Sequence, residues 1–231
     1  MKHIIKTSPP DEFVKECETP GVSFSTLRSK KTLKERLLQD QGFICCYCGC
    51  EIKNDGHTKI EHIKCQERHE DLALCFENML ASCDGGENDR KNKVVPPHVI
   101  HCDAKKGSDD IPISPLEKDV ENCLMYFDDG TVKGSDPEGN GSKLIQVLGL
   151  NVAYLVTQRK NAIEAYEDFD VTELEKELNW IKDKHNGKYE PFCFVLEQYI
   201  KSIIDSFGNG NSEELEGREL LAVSYTHPSP R

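Results

Sequence analysis

The run Cys45-Cys46-Tyr47-Cys48-Gly49-Cys50 places four of the chain's eleven cysteines within six positions. Cys45 and Cys48 stand in the C-x-x-C spacing, which lets a tight turn present two thiolates to one tetrahedral zinc ion. Such a site needs a second pair. Cys83 and Cys102 are the best placed, each at the edge of an expected element, with Cys46, Cys50 and Cys65 as substitutes. A C-x-x-C can also be a redox dithiol, but that reading wants a thioredoxin-like strand-helix-strand context, which is absent here.

A second group of residues offers different chemistry. In Ile60-Glu61-His62-Ile63 a carboxylate adjoins an imidazole. A carboxylate suits a hard cation such as Mg²⁺. An imidazole near its ordinary pKa can take a proton from water at neutral pH. Strand neighbours point to opposite faces, yet at a strand end the backbone can twist enough for Glu61 to hold metal while His62 faces substrate. Alone the pair is common. It gains force from Asn78, in Phe76-Glu77-Asn78-Met79-Leu80-Ala81-Ser82-Cys83, and from His101-Cys102-Asp103-Ala104-Lys105-Lys106-Gly107, where a cysteine, a carboxylate and a lysine stand in register.

Elements must bring these residues together. Ile4-Ile5 reads as a short strand. Pro9-Pro10-Asp11-Glu12 reads as a helix start, with acids at the positive end. The pattern predicts helices over 11–17 and about 25–40, the second closed by Gln41-Gly42. Asn54-Asp55-Gly56 is a hairpin-type turn signal, and 60–63 alternates as a strand does. Residues 71–81 read as loop passing into helix, and His101 to Gly107 as a helix start. Leu124 to Phe127, Asp128-Asp129-Gly130 and Thr131-Val132 read as strand, turn and partner strand. Residues 135–142 read as a linker. From Lys143 to about Phe207 apolar stripes recur at helical spacing, for example Leu144, Val147, Leu148, Val152, Leu155 and Val156. After Gly208 no period lasts, and residues 208–231 read as a disordered or non-native tail.

The bulk numbers set limits. A chain of 231 residues holds one catalytic domain with a helical extension, or two small domains. No apolar run is long enough to span a bilayer, and the opening Met1-Lys2-His3-Ile4-Ile5-Lys6 lacks the apolar stretch of a secretion signal, so a cytoplasmic protein is expected. In a reducing compartment an odd number of clustered cysteines means metal rather than disulfides. The net charge of −12 runs against simple nucleic-acid binding, but the acid lies mostly between about Asp109 and Glu219. The N-terminal part is mildly basic, with Lys30 and Lys31 adjacent and Lys34 and Arg36 following.

Taken together, Phe43 to Gly107 resembles the HNH endonuclease superfamily: a C-x-x-C knuckle, an acid-His-Ile strand, an Asn before a cysteine, and a closing cysteine motif with Lys-Gly. The resemblance implies an α+β, mainly helical fold with a ββα-metal core at 43–107 inside a nuclease domain at 1–134. Structural zinc knuckles, flanking N-terminal helices and a partner-binding helical region at 135–207 complete it. It implies Glu61 and Asp103 as ligands of a catalytic Mg²⁺ (or Mn²⁺), His62 as general base, and Asn78 as the residue fixing the His loop. It also implies Lys106 near substrate phosphate and Cys45, Cys48, Cys83 and Cys102 as the structural Zn²⁺ ligands. The chain departs from the pattern in three ways. Asp103 stands where a His is usual, so His101 is carried as an alternate ligand. Ile63-Lys64-Cys65 stands where a Pro usually follows the His. The Cys83 to Cys102 loop is long.

More narrowly the chain is similar to HNH partner proteins of Septu-type and retron-linked anti-phage systems. That similarity implies an ABC-type ATPase encoded nearby as partner, and with it a retron reverse transcriptase and its DNA. It also implies a nucleic-acid substrate, DNA or RNA, and no membrane. A non-catalytic zinc module that docks an ATPase or nucleic acid is the rival, and it would have no need of Glu61, His62, Asn78 or Asp103.

Overall fold

A computed structural model describes residues 1–92 and 99–208. The expected tail, from 209 on, lies outside the described residues.

The chain begins extended. Ile4 donates its backbone N–H to Pro115 at 2.8 Å, but no strand forms around Ile4-Ile5, because no ladder continues from that bond. Helix α1 (Asp11–Cys17) starts after Pro10 with Asp11 and Glu12 in its first turn. The expected helix over 25–40 is divided. A 3₁₀ turn, Phe24–Thr26, comes first, and α2 (Lys30–Gln41) starts only after Ser29. The Glu16 carboxylate explains the break, since it accepts the backbone N–H groups of Arg28 and Ser29 at 2.7 and 2.9 Å and the Ser29 hydroxyl at 2.6 Å. Helix α2 buries Leu33, Leu37 and Leu38 and ends at Gly42, whose φ of 63° is left-handed.

Strand β1 (Thr58–His62) pairs antiparallel with β2 (Met79–Cys83), setting Glu61 opposite Leu80 and His62 opposite Met79. The expected helix after Asn78 is therefore a strand. All five β2 residues are buried, with α2 on one side. A short, fully buried apolar run carries no period that separates strand from helix. Helix α3 (Glu87–Lys91) follows, then α4 (Cys102–Lys106), which packs on β2.

A second hairpin, β3 (Leu124–Tyr126) with β4 (Val132–Gly134), turns at Asp128-Asp129-Gly130, as the sequence suggests. Four helices come after it: α5 (Asn140–Leu148), α6 (Ala153–Glu164), α7 (Val171–Ile181) and α8 (Cys193–Gly208). The expected linker gives up its last residues to α5, because Asp136 accepts the N–H groups of Asn140 and Gly141 at 2.7 and 2.6 Å and starts the helix. Helix α5 lies on β4 and α4, α8 lies on β3, and α7 pairs with α8. The buried Arg159 fixes α6 to this hairpin, donating to Gly130 O and Leu150 O at 2.7 Å each. The result is an α+β, mainly helical protein in which the described residues form two small sheets. No helix among the described residues is long and apolar enough to cross a membrane.

Candidate active site and metal centre

The thiol site is built by three segments. Cys45 N–H donates to Cys50 O at 2.9 Å and Gly49 N–H to Cys45 O at 3.1 Å, which closes the 45–50 run into a knuckle. Gly49 has a φ of 81°, and a Cβ there would stand 2.5 Å from the Phe194 ring, so both conformation and space require glycine. Cys83 arrives at the end of β2. Cys102 arrives at the start of α4 with a left-handed φ of 49°, unusual for a residue with a side chain.

Cys45, Cys48, Cys50 and Cys83 offer sulfurs all within 4.8 Å of one another, and so do Cys48, Cys83, Cys102 and a ring nitrogen of His101. Cys45 and Cys102 are 3.9 Å apart. Every pair within Cys45, Cys48, Cys83 and Cys102 is therefore close enough to share one ion. Four buried thiols in this arrangement fit zinc. Burial raises the Cys45 thiol, but hydrogen bonds from Cys102 and other neighbouring thiols outweigh it and hold it well below the usual range. Cys48 is held well below that range too, chiefly by its hydrogen bond with Cys102. Cys46 and Cys65 lie outside both sets of donors, whereas Cys50 lies within one of them.

His101 belongs to this centre. Its Nδ1 is 3.3 Å from Cys102 Sγ and 3.8 Å from Cys83 Sγ, and its ring stacks on Tyr154. Gly85 backs it closely: His101 N–H donates to Gly85 O at 3.0 Å, and a Cβ on Gly85 would meet His101 O at 1.8 Å.

The carboxylate site lies along β1. Glu61 is buried, and its Oε1 accepts from the Tyr47 hydroxyl at 2.8 Å and from Lys106 Nζ at 2.9 Å. Lys106 is itself buried and also donates to His62 O at 3.0 Å, so its ammonium lies against β1. Asp103, one turn before Lys106 on α4, is within hydrogen-bonding reach of Glu61. Burial, then that hydrogen bond and the Glu61 charge, push the Asp103 carboxyl up to about 8. Two facing, desolvated acids, one of them inclined to keep its proton, have the donor chemistry that a hard divalent cation satisfies.

His62 is held on three sides. Its Nε2 lies 3.0 Å from Ala73 O, its Nδ1 lies 3.2 Å from Gln66 Nε2, and the Phe24 ring meets it edge-on at 4.6 Å. Burial lowers its pKa, opposed by the Ala73 bond and by Glu61. A carbonyl can only accept, so Nε2 carries the proton and Nδ1 keeps its lone pair. Asn78 bonds the loop beyond His62 rather than the ring. Its Oδ1 accepts from Lys64 N–H at 2.8 Å, and its Nδ2 donates to Lys64 O at 2.9 Å and Leu72 O at 3.3 Å. Lys6 steadies the far side of that loop through the carbonyls of Phe76 and Met79.

Three of these residues escape a reading of the sequence: Tyr47, Gln66 and Phe24. Tyr47 stands among thiols and reads as packing. Gln66 sits four residues past His62, a spacing that only a turn makes meaningful. Phe24 precedes a helix and carries no signal for the His.

No family model matches the chain. It is similar to the Escherichia coli protein "Retron Ec83 putative HNH endonuclease", 27% identical over 120 residues, covering 46% of this chain and 46% of that protein. It is also similar to the Vibrio cholerae serotype O1 biovar El Tor protein "Retron Vc95 putative HNH endonuclease", 29% identical over 143 residues, covering 58% of this chain and 65% of that protein. The chain thus spans between about half and two thirds of the length of these relatives. They support the HNH endonuclease superfamily and a retron association.

Proposed function

We propose that this chain is a metal-dependent HNH endonuclease that hydrolyses phosphodiester bonds of nucleic acid, with a ββα-metal core made of β1, β2 and α4. The observation that carries this reading is the Glu61–Asp103 carboxyl pair beside a His62 whose protonated nitrogen is already committed to Ala73 O. A non-catalytic zinc module would need the thiols alone.

Glu61 and Asp103 would hold Mg²⁺ or Mn²⁺. When bound, such an ion supplies positive charge against the negative charge that develops on the phosphate. His62 takes the proton of the attacking water at Nδ1, the nitrogen left basic by the Ala73 bond. Gln66, which is exposed, occupies Nδ1 at 3.2 Å and would have to release it for that water to approach. Tyr47 and Lys106 are positioning residues: they fix Glu61 from within the protein and keep one of its oxygens occupied. Asn78 holds the loop that carries the Ala73 carbonyl and so orients the imidazole. The thiols of Cys45, Cys48, Cys83 and Cys102, with His101 adjoining, would hold a structural zinc that ties the knuckle to β2 and α4.

The chain acts in anti-phage defence with an ABC-type ATPase encoded nearby and, in a retron setting, a reverse transcriptase and its DNA. The retron names of its relatives support the setting, and the ATPase rests on the resemblance of the sequence motifs to Septu-type nucleases. The test is cleavage of DNA and RNA by the zinc-loaded chain, alone and co-purified with the neighbouring ATPase, with Mg²⁺ added or left out. Hydrolysis is expected only with Mg²⁺, and His62→Ala is expected to lower it by about 10²–10⁴-fold. Equal cleavage by His62→Ala would sink the proposal.

A further inference from the structure

Beside Asp103 lies a groove of about 540 Å³ whose lining includes Phe24, Lys30, Lys31, Lys34, Lys59 and Asp103. In a chain of net charge −12 this concentration of lysine runs against the average. Three of the four come from the first turns of α2, where the spacing 30, 31 and 34 lets them converge on one side.

What each ammonium touches decides whether its charge is available. Lys34 Nζ donates to Asp55 O at 2.8 Å and Thr58 O at 2.9 Å. Lys30 Nζ donates to Ser25 O at 3.0 Å and lies 4.9 Å from the centre of the Phe24 ring. Carbonyls and a ring hold these groups in place, and none of these contacts is an ion pair. Lys31 is exposed and has no ion-pair partner among the described residues. Lys59 is neutralised by Glu87 at 3.1 Å, and Asp55, which also lines the groove, sets its charge against Lys34. The groove therefore presents two ammoniums with no acid partner, Lys30 and Lys31, with Lys34 fixed beside them, and leads to the acid that faces Glu61. Phe24 links its wall to the other half of the site, since the same ring meets His62 edge-on at 4.6 Å.

We infer that this groove is the track for the substrate backbone: Lys30, Lys31 and Lys34 bind successive phosphates of a nucleic-acid strand and lead the scissile one to Asp103 and Glu61. The inference rests on the nuclease reading and adds where the strand lies. Lysines on phosphates release counterions, so each contact leaves a mark in the salt dependence of binding.

The test uses the zinc-loaded full chain in buffer free of Mg²⁺ and Mn²⁺, with no chelator, so that binding is read without hydrolysis, with short labelled single-stranded DNA, single-stranded RNA and duplex DNA as probes. The unaltered chain is expected to bind at low salt. Lys31→Glu, an exposed change that breaks no contact, is expected to weaken binding about tenfold and flatten the log–log salt slope by about one. Lys30→Glu combined with Lys31→Glu should flatten it by about two. Lys143→Glu, an exposed change on α5 away from the groove, should do neither. No binding by the unaltered chain, or equal losses in Lys31→Glu and Lys143→Glu, overturns the inference. Groove-dependent binding without Mg²⁺-dependent cleavage would leave the track standing and remove the nuclease reading. Cleavage by the unaltered chain with unchanged binding by the groove variants would do the reverse.

Discussion

At the residue scale, the acid pair sets how the proposed catalytic cation would bind. The Asp103 carboxyl is raised to about 8, first by burial and then by Glu61. A raised acid holds its proton below that pH and gives it up above. At neutral pH the pair therefore carries a proton that a divalent ion bound there would have to displace, because such an ion binds the carboxylate form. Calorimetry of Mn²⁺ binding in two buffers of different ionisation heat should show proton release at neutral pH that fades above about 8. Apparent affinity should rise with pH over the same range. Asp103→Asn should abolish the proton release and weaken the ion. Release that is unaltered in Asp103→Asn would show that the displaced proton comes from elsewhere. The acids themselves were legible in the sequence because an acid-His pair on an alternating strand and a Cys-Asp at a helix start have recognisable settings. Tyr47 was not, since nothing near it in the chain announces that its hydroxyl meets Glu61 fourteen residues on.

At the element scale, the question is what holds β2, a strand with one sheet neighbour. Gln41, buried at the end of α2, acts as a substitute strand. Its Nε2 donates to Ala81 O at 2.7 Å and Ile44 O at 2.9 Å, while its Oε1 accepts from Ala81 N–H at 2.6 Å. Gln41→Leu keeps much of the volume and strips all three bonds, leaving the buried Ala81 N–H without its acceptor. The expected loss is about 2–3 kcal/mol, since an unsatisfied buried backbone group costs roughly 1–3 kcal/mol. It should appear as a lower urea midpoint at unchanged slope. A midpoint unmoved by Gln41→Leu would mean that packing and the pairing with β1 hold β2 without Gln41. The same strand marks where sequence reading stopped. Both hairpin strands of 124–134 and the helical stripes after 143 could be read, because each leaves one face exposed and so keeps a period. Met79–Cys83 is buried throughout and reads equally as helix or strand. The division of the 25–40 helix was hidden for another reason: Glu16 causes it from α1, outside the segment it interrupts.

At the scale of the molecule, the thiol centre joins segments that are far apart in the chain. Cys45 and Cys48 precede β1, Cys83 closes β2 and Cys102 opens α4, so Cys45 meets Cys102 across 57 positions. All four sulfurs lie within the larger apolar core, which runs from Phe13 through Leu33, Leu80 and Leu144. A structural zinc contributes apparent folding energy on the order of 10 kcal/mol, comparable to the roughly 5–15 kcal/mol by which a domain is stable at all. The second core, with Ile163, Leu174, Ile181, Leu196 and Ile200, packs α6, α7 and α8 without any of these four ligands. Metal removal should therefore divide the molecule. Elemental analysis should find one zinc per chain. A strong chelator should then melt the β1–β2–α4 region and separate Tyr47 and Asp103 from Glu61, while helical circular dichroism from α6 to α8 largely survives. Amide hydrogen exchange read by mass spectrometry would separate the two regions. Protection should fall in peptides covering 44–83 and 101–106 and persist in 171–181 and 193–205. Cys83→Ser should reproduce the pattern without chelator. Uniform protection in the chelated protein would show that the thiols pack as ordinary core residues and that no ion holds β1, β2 and α4 together.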